Sequence, residues 1–119
     1  MPMKLLYLEN HPHFLRAVTQ EFLYEYEVVA VSSIRQAKEA ITDEQFDLIL
    51  VDFDLDGEKG DEFVKFLRAQ HYECPIIAVS SHEKGNEALM QAGANAQCSK
   101  MTFSKVQQVI QSLLNPIPQ

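Results

Sequence analysis

Four side chains in this sequence could do chemistry together, because each follows a short apolar run: Glu9, Asp52, Ser80 and Lys100. Singly, each has an ordinary reading, as a surface carboxylate, a helix cap or a solvated lysine. Converging on one rim they would offer acceptors for a hard cation, a nucleophilic oxygen and donors for an anion. Asn10, beside Glu9, adds an uncharged amide oxygen. Two carboxylates about 4 Å apart repel by about 4 kcal/mol at an effective dielectric of 20. A divalent cation would remove that repulsion, so the acidic pair implies a metal.

The elements that must position these groups follow from hydrophobic period. Leu5 to Leu8, Val28 to Val31, Leu48 to Val51 and Ile76 to Val79 read as four buried strands, with a weaker fifth near Asn95 to Cys98. Between them, apolar residues recur at helical spacing. Pro12 suits the first turn of a helix running to about Tyr26. Ser33 can cap a helix carrying Ile34, Ala37 and Ile41. A third helix follows Gly60, a fourth ends at Gly93, and Thr102 is the expected cap of the last, which must stop before Pro116. Alternating strands and helices, with strands apolar throughout, predict a three-layer α/β sandwich around a parallel sheet. In such sheets, sites gather beyond the carboxyl ends of the strands, where all four candidate groups lie.

Over essentially the whole chain, the sequence resembles the receiver domain of two-component response regulators. The match rests on Lys4-Leu-Leu-Tyr-Leu-Glu9-Asn10-His-Pro12, on Phe46-Asp-Leu-Ile-Leu-Val-Asp52-Phe-Asp-Leu-Asp-Gly-Glu-Lys-Gly60, on Cys74-Pro-Ile-Ile-Ala-Val-Ser80-Ser81 and on Ala92-Gly-Ala-Asn-Ala-Gln-Cys-Ser-Lys100. The resemblance implies a five-stranded flavodoxin-like (βα)5 fold of strand order 2-1-3-4-5, spanning 1–119, with 115–119 a free tail or the start of a linker. It implies that Asp52 accepts a phosphoryl group, that Ser80 is the switch hydroxyl and that Lys100 pairs with the phosphoryl group. Glu9, Asn10, Asp52 and the backbone of Asp54 would hold Mg²⁺. The implied partner is a histidine kinase or phosphotransfer protein, and the output surface is formed by helix four, strand five and helix five. There Glu87, Gln91, Gln97, Gln107 and Gln111 read as a polar, solvated face, so neither the effector nor self-association is named by it.

The chain departs from the family's pattern at several places. Asn10 stands where a second acid is usual, which predicts weak magnesium binding. Gln97 stands where an aromatic ring usually reports movement of the hydroxyl. Asp56 replaces a common proline, and Met101 replaces the proline after the lysine. A cis bond before a residue other than proline costs roughly 2.5 to 4 kcal/mol, so Lys100-Met101 is expected trans, with Lys100 drawn away from Asp52. These departures keep a second reading open, a pseudo-receiver that docks without being phosphorylated.

Other classes are excluded or disfavoured. Asp52-Phe-Asp54-Leu-Asp56-Gly57 matches the opening of a calcium loop, but Phe63 stands at its twelfth position and a strand precedes it. The exit Glu9-Asn10-His11-Pro12 lacks the small-residue cradle of a flavin phosphate site. A net charge of −7 opposes direct nucleic-acid binding by this chain. No apolar run approaches the roughly 20 residues of a membrane span. Met1 to Asn10 does not read as a secretory signal, so a cytoplasmic location is expected. Cys74 and Cys98, predicted toward opposite ends of the sheet, are expected as free thiols.

Overall fold

A computed structural model describes residues 2–114; the segment 115–119, read as tail or linker, lies outside the described residues. The apolar runs form β1 (Lys4–Leu8), β2 (Glu27–Val31), β3 (Leu48–Val51), β4 (Ile76–Ala78) and β5 (Ala96–Gln97). The helices are α1 (Pro12–Phe22), α2 (Ile34–Asp43), α3 (Asp61–Ala69), α4 (Glu83–Ala92) and α5 (Val106–Leu114). All strand pairs are parallel and the sheet order is β2-β1-β3-β4-β5, the expected flavodoxin-like arrangement.

Strand side chains alternate between two cores. Leu6, Leu8, Ile49, Val51, Ile76 and Ala78 pack with Phe63, Leu67 and Leu89 on one face. Leu5, Tyr7, Leu48, Leu50, Ile77 and Val79 pack with Phe103, Val106 and Ile110 on the other. The same alternation, continued past the strand ends, puts Glu9 and Asp52 in phase with the second face and Ser80 in phase with the first. Phe103 anchors the second face by stacking on Tyr7 at 6.3 Å and meeting Phe14 edge-on at 5.6 Å.

Three local expectations are corrected. β2 is not buried: Glu27 and Ala30 are exposed, because this strand has a neighbour on one side only. The first helix ends at Phe22, and Leu23 turns into the core so that Glu27 can join β1 opposite Lys4. Thr102 does not cap the last helix. Ser99 instead accepts from the Met101 N–H at 3.1 Å and starts a 3₁₀ turn, Lys100–Lys105, with Thr102 at its kink (φ −131°, ψ 45°) before α5 begins. Ser33 does cap α2, accepting from Gln36 N–H at 3.1 Å.

Cys74 and Cys98 are free, as expected, and burial pushes the Cys74 thiol up to about 12 and raises that of Cys98. Gln107 is not part of a solvated output face. It donates to Phe22 O at 2.7 Å and accepts from Tyr26 Oη at 2.8 Å, tying α5 to the end of α1.

The end of α3 is tied to the β4 and β5 entries by one guanidinium. Arg68 donates to the carbonyls of Gly93 (3.0 Å) and Tyr72 (2.6 Å) and to Asn95 Oδ1 (2.8 Å). Asn95 Oδ1 also accepts from Ile76 N–H at 2.8 Å, so the fork fixes where β4 starts. Hydrogen bonds to charged groups contribute about 1.5 to 3 kcal/mol each, and Arg68→Ala should cost about 2 kcal/mol net. A lower urea midpoint at unchanged slope would report this loss; an unchanged midpoint would mean the fork contributes nothing.

Candidate functional site

The carboxyl ends of β1, β3 and β4 and the start of the 3₁₀ turn bring Glu9, Asp52, Ser80 and Lys100 to one rim. Glu9 and Asp52 are each only 2% exposed. Buried carboxylates require a partner. The Lys100 ammonium supplies it, 2.7 Å from Glu9 Oε1 and 2.9 Å from Asp52 Oδ2. It also lies 4.9 Å from the centre of the Phe14 ring.

No peptide bond among the described residues is cis, so Lys100-Met101 is trans as expected. The expectation that Lys100 would then withdraw from Asp52 is overturned. Lys100 N–H donates to Ser80 O at 3.1 Å, which anchors the residue at the β4 end, and its long side chain covers the remaining distance.

The other oxygen of Asp52, Oδ1, accepts from the Phe53 N–H at 2.8 Å. The loop that follows is a small hairpin. Leu55 and Glu58 exchange backbone hydrogen bonds around Asp56 and Gly57, whose φ values are 49° and 94°. Positive φ at both central positions suits an Asp-Gly type I′ turn. Proline, fixed near −65°, could not occupy position 56. The hairpin closes against Asp52 because Gly60 has no side chain: a Cβ there would lie 1.9 Å from Asp52 O.

Asp54 is exposed and its carboxylate pairs with Lys59, so that side chain does not join the others. Facing Lys59 in the hairpin, it leaves its backbone carbonyl without a hydrogen-bond partner among the described residues. The calcium-loop reading is excluded by the same geometry, since these acids lie on a hairpin after a strand.

Asn10 borders a cleft of about 450 Å³ with Glu9, Ser32 and Gln36, and its buried Oδ1 has no partner among the described residues. His11 was not singled out from the sequence as a site residue. Its Nδ1 lies 2.9 Å from Glu9 Oε2, and one ligand atom each of Glu9, His11 and Asp52 lie within 4.8 Å of one another. A histidine two residues after a strand-end acid was the only signal. These oxygens, the free Asn10 amide oxygen and the open Asp54 carbonyl suit a hard divalent cation, so the donor set fits Mg²⁺.

Ser80 is buried and leans toward α4, whose Asn86 holds it. Asn86 was also missed, because a lone asparagine inside a helical pattern carries no site signal.

The family model for the response regulator receiver domain matches residues 5–112. The chain belongs to the response regulator receiver family. It is 32% identical to the sensor protein GacS of Pseudomonas syringae pv. syringae over 78% of this chain, and it spans 12% of that protein's length. Among solved structures, it resembles the receiver domain of a Pseudomonas aeruginosa sensor histidine kinase that has magnesium in its active-site cleft. That likeness has TM-score 0.82 and 25% identity, covering 93% of this chain and 96% of that one. A Thermotoga maritima response regulator in complex with Mg²⁺ and BeF shares the fold at TM-score 0.83 and 20% identity, covering 96% and 100%. Among the described residues of this receiver, no helix is long and apolar enough to cross a membrane.

Burial, and then the charge of Glu9, push the Asp52 carboxyl up to about 6, against the opposing pull of Lys100 and the Phe53 N–H. The folded receiver therefore holds this proton more tightly than the unfolded chain, where an aspartate titrates near about 4. The associated stability is present below about pH 4 and lost as pH rises through about 6. Asp52→Asn cannot ionise there, so its stability relative to wild type should grow as pH rises from about 4 to about 7. Urea unfolding of both proteins across that range checks this; a constant difference would mean that another group titrates.

Proposed function

We propose that this receiver accepts a phosphoryl group on Asp52 from a phosphohistidine and relays the event through Ser80 and α4. The observation that carries the reading is the buried Asp52 carboxylate beside Lys100, at a rim where cation and amide donors already converge. The wider protein's activity and its location, expected to be cytoplasmic, are part of the same proposal.

Near neutral pH, above the raised Asp52 value of about 6, the carboxylate is mostly ionised and nucleophilic. An oxygen of Asp52 attacks phosphorus in line; the P–N bond to the donor histidine breaks as the P–O bond forms, and the electron pair leaves on the imidazole nitrogen. Lys100 exchanges part of its contact with Asp52 for the incoming phosphoryl oxygens, and the N–H groups of Phe53 and Ser81 would donate as charge develops. Glu9, Asp52, the Asn10 amide oxygen and the Asp54 carbonyl would hold Mg²⁺, with His11 beside them. When bound, the ion neutralises charge on the transferring group. Receiver chemistry is stoichiometric, so the domain is a phospho-acceptor in a signalling pathway rather than an enzyme with an external product. A histidine kinase or phosphotransfer protein would be the donor.

Incubation with acetyl phosphate and Mg²⁺ should add one labile phosphoryl group by intact mass, absent in Asp52→Asn. An adduct that persists in the variant, or none in wild type, would overturn the assignment, and the latter would leave the docking-only reading. Because one carboxylate of the usual pocket is replaced by Asn10, Asn10→Asp should tighten Mg²⁺ binding by about tenfold, a 1.4 kcal/mol gain that one added charge in a partly buried site can supply. Titration followed by the Phe53 amide signal checks it, and equal affinities would mean that position 10 does not reach the metal.

A further inference from the structure

We propose that Asn86 is a positioning residue that couples Ser80 mechanically to α4, so that movement of the Ser80 segment carries the first turns of that helix with it. This rests on the reading of Asp52 as phospho-acceptor and Ser80 as its responding hydroxyl.

Asn86 is 4% exposed, so its amide must find partners inside the protein. Both partners belong to one residue. Asn86 Oδ1 accepts from the Ser80 N–H at 3.0 Å, and Asn86 Nδ2 donates to the Ser80 carbonyl at 3.4 Å. The side chain of a helical residue thereby grips the backbone of the β4 end on both its donor and its acceptor.

A further hydrogen bond ties the same two segments. Ser80 Oγ accepts from the N–H of His82, the residue that precedes the first turn of α4. Packing closes the remaining space. Gly85 lies against the hydroxyl so closely that a Cβ there would stand 2.5 Å from Ser80 Oγ and 3.1 Å from Phe53 Cβ.

These contacts leave Ser80 little freedom to move alone. If its hydroxyl turns to a phosphoryl oxygen on Asp52, the His82 contact is weakened and the void beside Gly85 opens. The Asn86 grip is on the backbone, however, and survives rotation of the Ser80 side chain. Displacement of the segment is then transmitted to α4 through a buried pair of hydrogen bonds, whose loss would leave the Ser80 N–H unsatisfied while the carbonyl keeps the Lys100 N–H. The exposed Gln97 on β5 has no ring to take part.

The test is amide NMR of the full chain with beryllofluoride and Mg²⁺ as the probe. In wild type, the Phe53 signal and the signals of residues 83–92 should shift together. In Asn86→Ala the Phe53 shift should remain while the α4 response is lost, and Asn86→Asp, which keeps an acceptor for the Ser80 N–H, should restore much of it. A purely structural role would lower the thermal midpoint of Asn86→Ala and leave the α4 response unchanged, and that result would overturn the proposal. Gly85→Ala offers a second route that does not remove the asparagine: its added methyl should displace the α4 signals before any beryllofluoride is added. Unshifted α4 signals in that variant would also count against the latch. Absence of any Phe53 response in wild type would instead overturn the reading of Asp52, and the latch with it.

Discussion

The contact on which the site depends is a single ammonium group between two buried carboxylates. Glu9 and Asp52 end neighbouring strands and are withdrawn from water, an arrangement that would be strongly unfavourable without a cation. Lys100 provides one from a third part of the chain, anchored through its own N–H to the end of β4. The same ion pair therefore closes the top of the sheet and favours the ionised form of Asp52 against the effect of burial. A phosphoryl group or a divalent ion entering the site would compete with Lys100 for the same oxygens, and this links the chemistry to the fold's own electrostatic balance.

Strand alternation distributes the rest. Glu9 and Asp52 continue the phase of Tyr7 and Leu50, on the face covered by α1 and α5, where Phe14 lies against the lysine and meets Phe103 edge-on. Ser80 continues the phase of Ile76 and Ala78, on the face where Leu89 of α4 packs. Asp52 and the Ser80 hydroxyl thus lie at one rim but are supported by different layers.

Glycine and the left-handed backbone shape the loop that borders Asp52. Gly60 permits the hairpin to fold back onto Asp52, and the Asp56-Gly57 turn sets its tip. The positive φ at position 56 is incompatible with the proline common there in the family. At position 101, the trans bond is compatible with a lysine already in contact with its aspartate.

The layered architecture, the strand order implied by resemblance and the rim that gathers Glu9, Asp52, Ser80 and Lys100 were legible in the sequence, because hydrophobic period and strand-end position are local properties written in consecutive residues. The exposure of β2, the early end of α1 and the 3₁₀ turn in place of a Thr102 cap were not, since each depends on what an element packs against. The tie from Gln107 to α1 and the grip of Asn86 on Ser80 join residues that are separated in the chain, and polar side chains carry no periodic mark of such partners. Residue type and order determined which chemical groups this receiver possesses and which ends of the strands they occupy. Only the tertiary structure decided that one lysine bridges both carboxylates and that Asn86 holds the Ser80 backbone, because side-chain burial and hydrogen-bond geometry arise when distant elements meet.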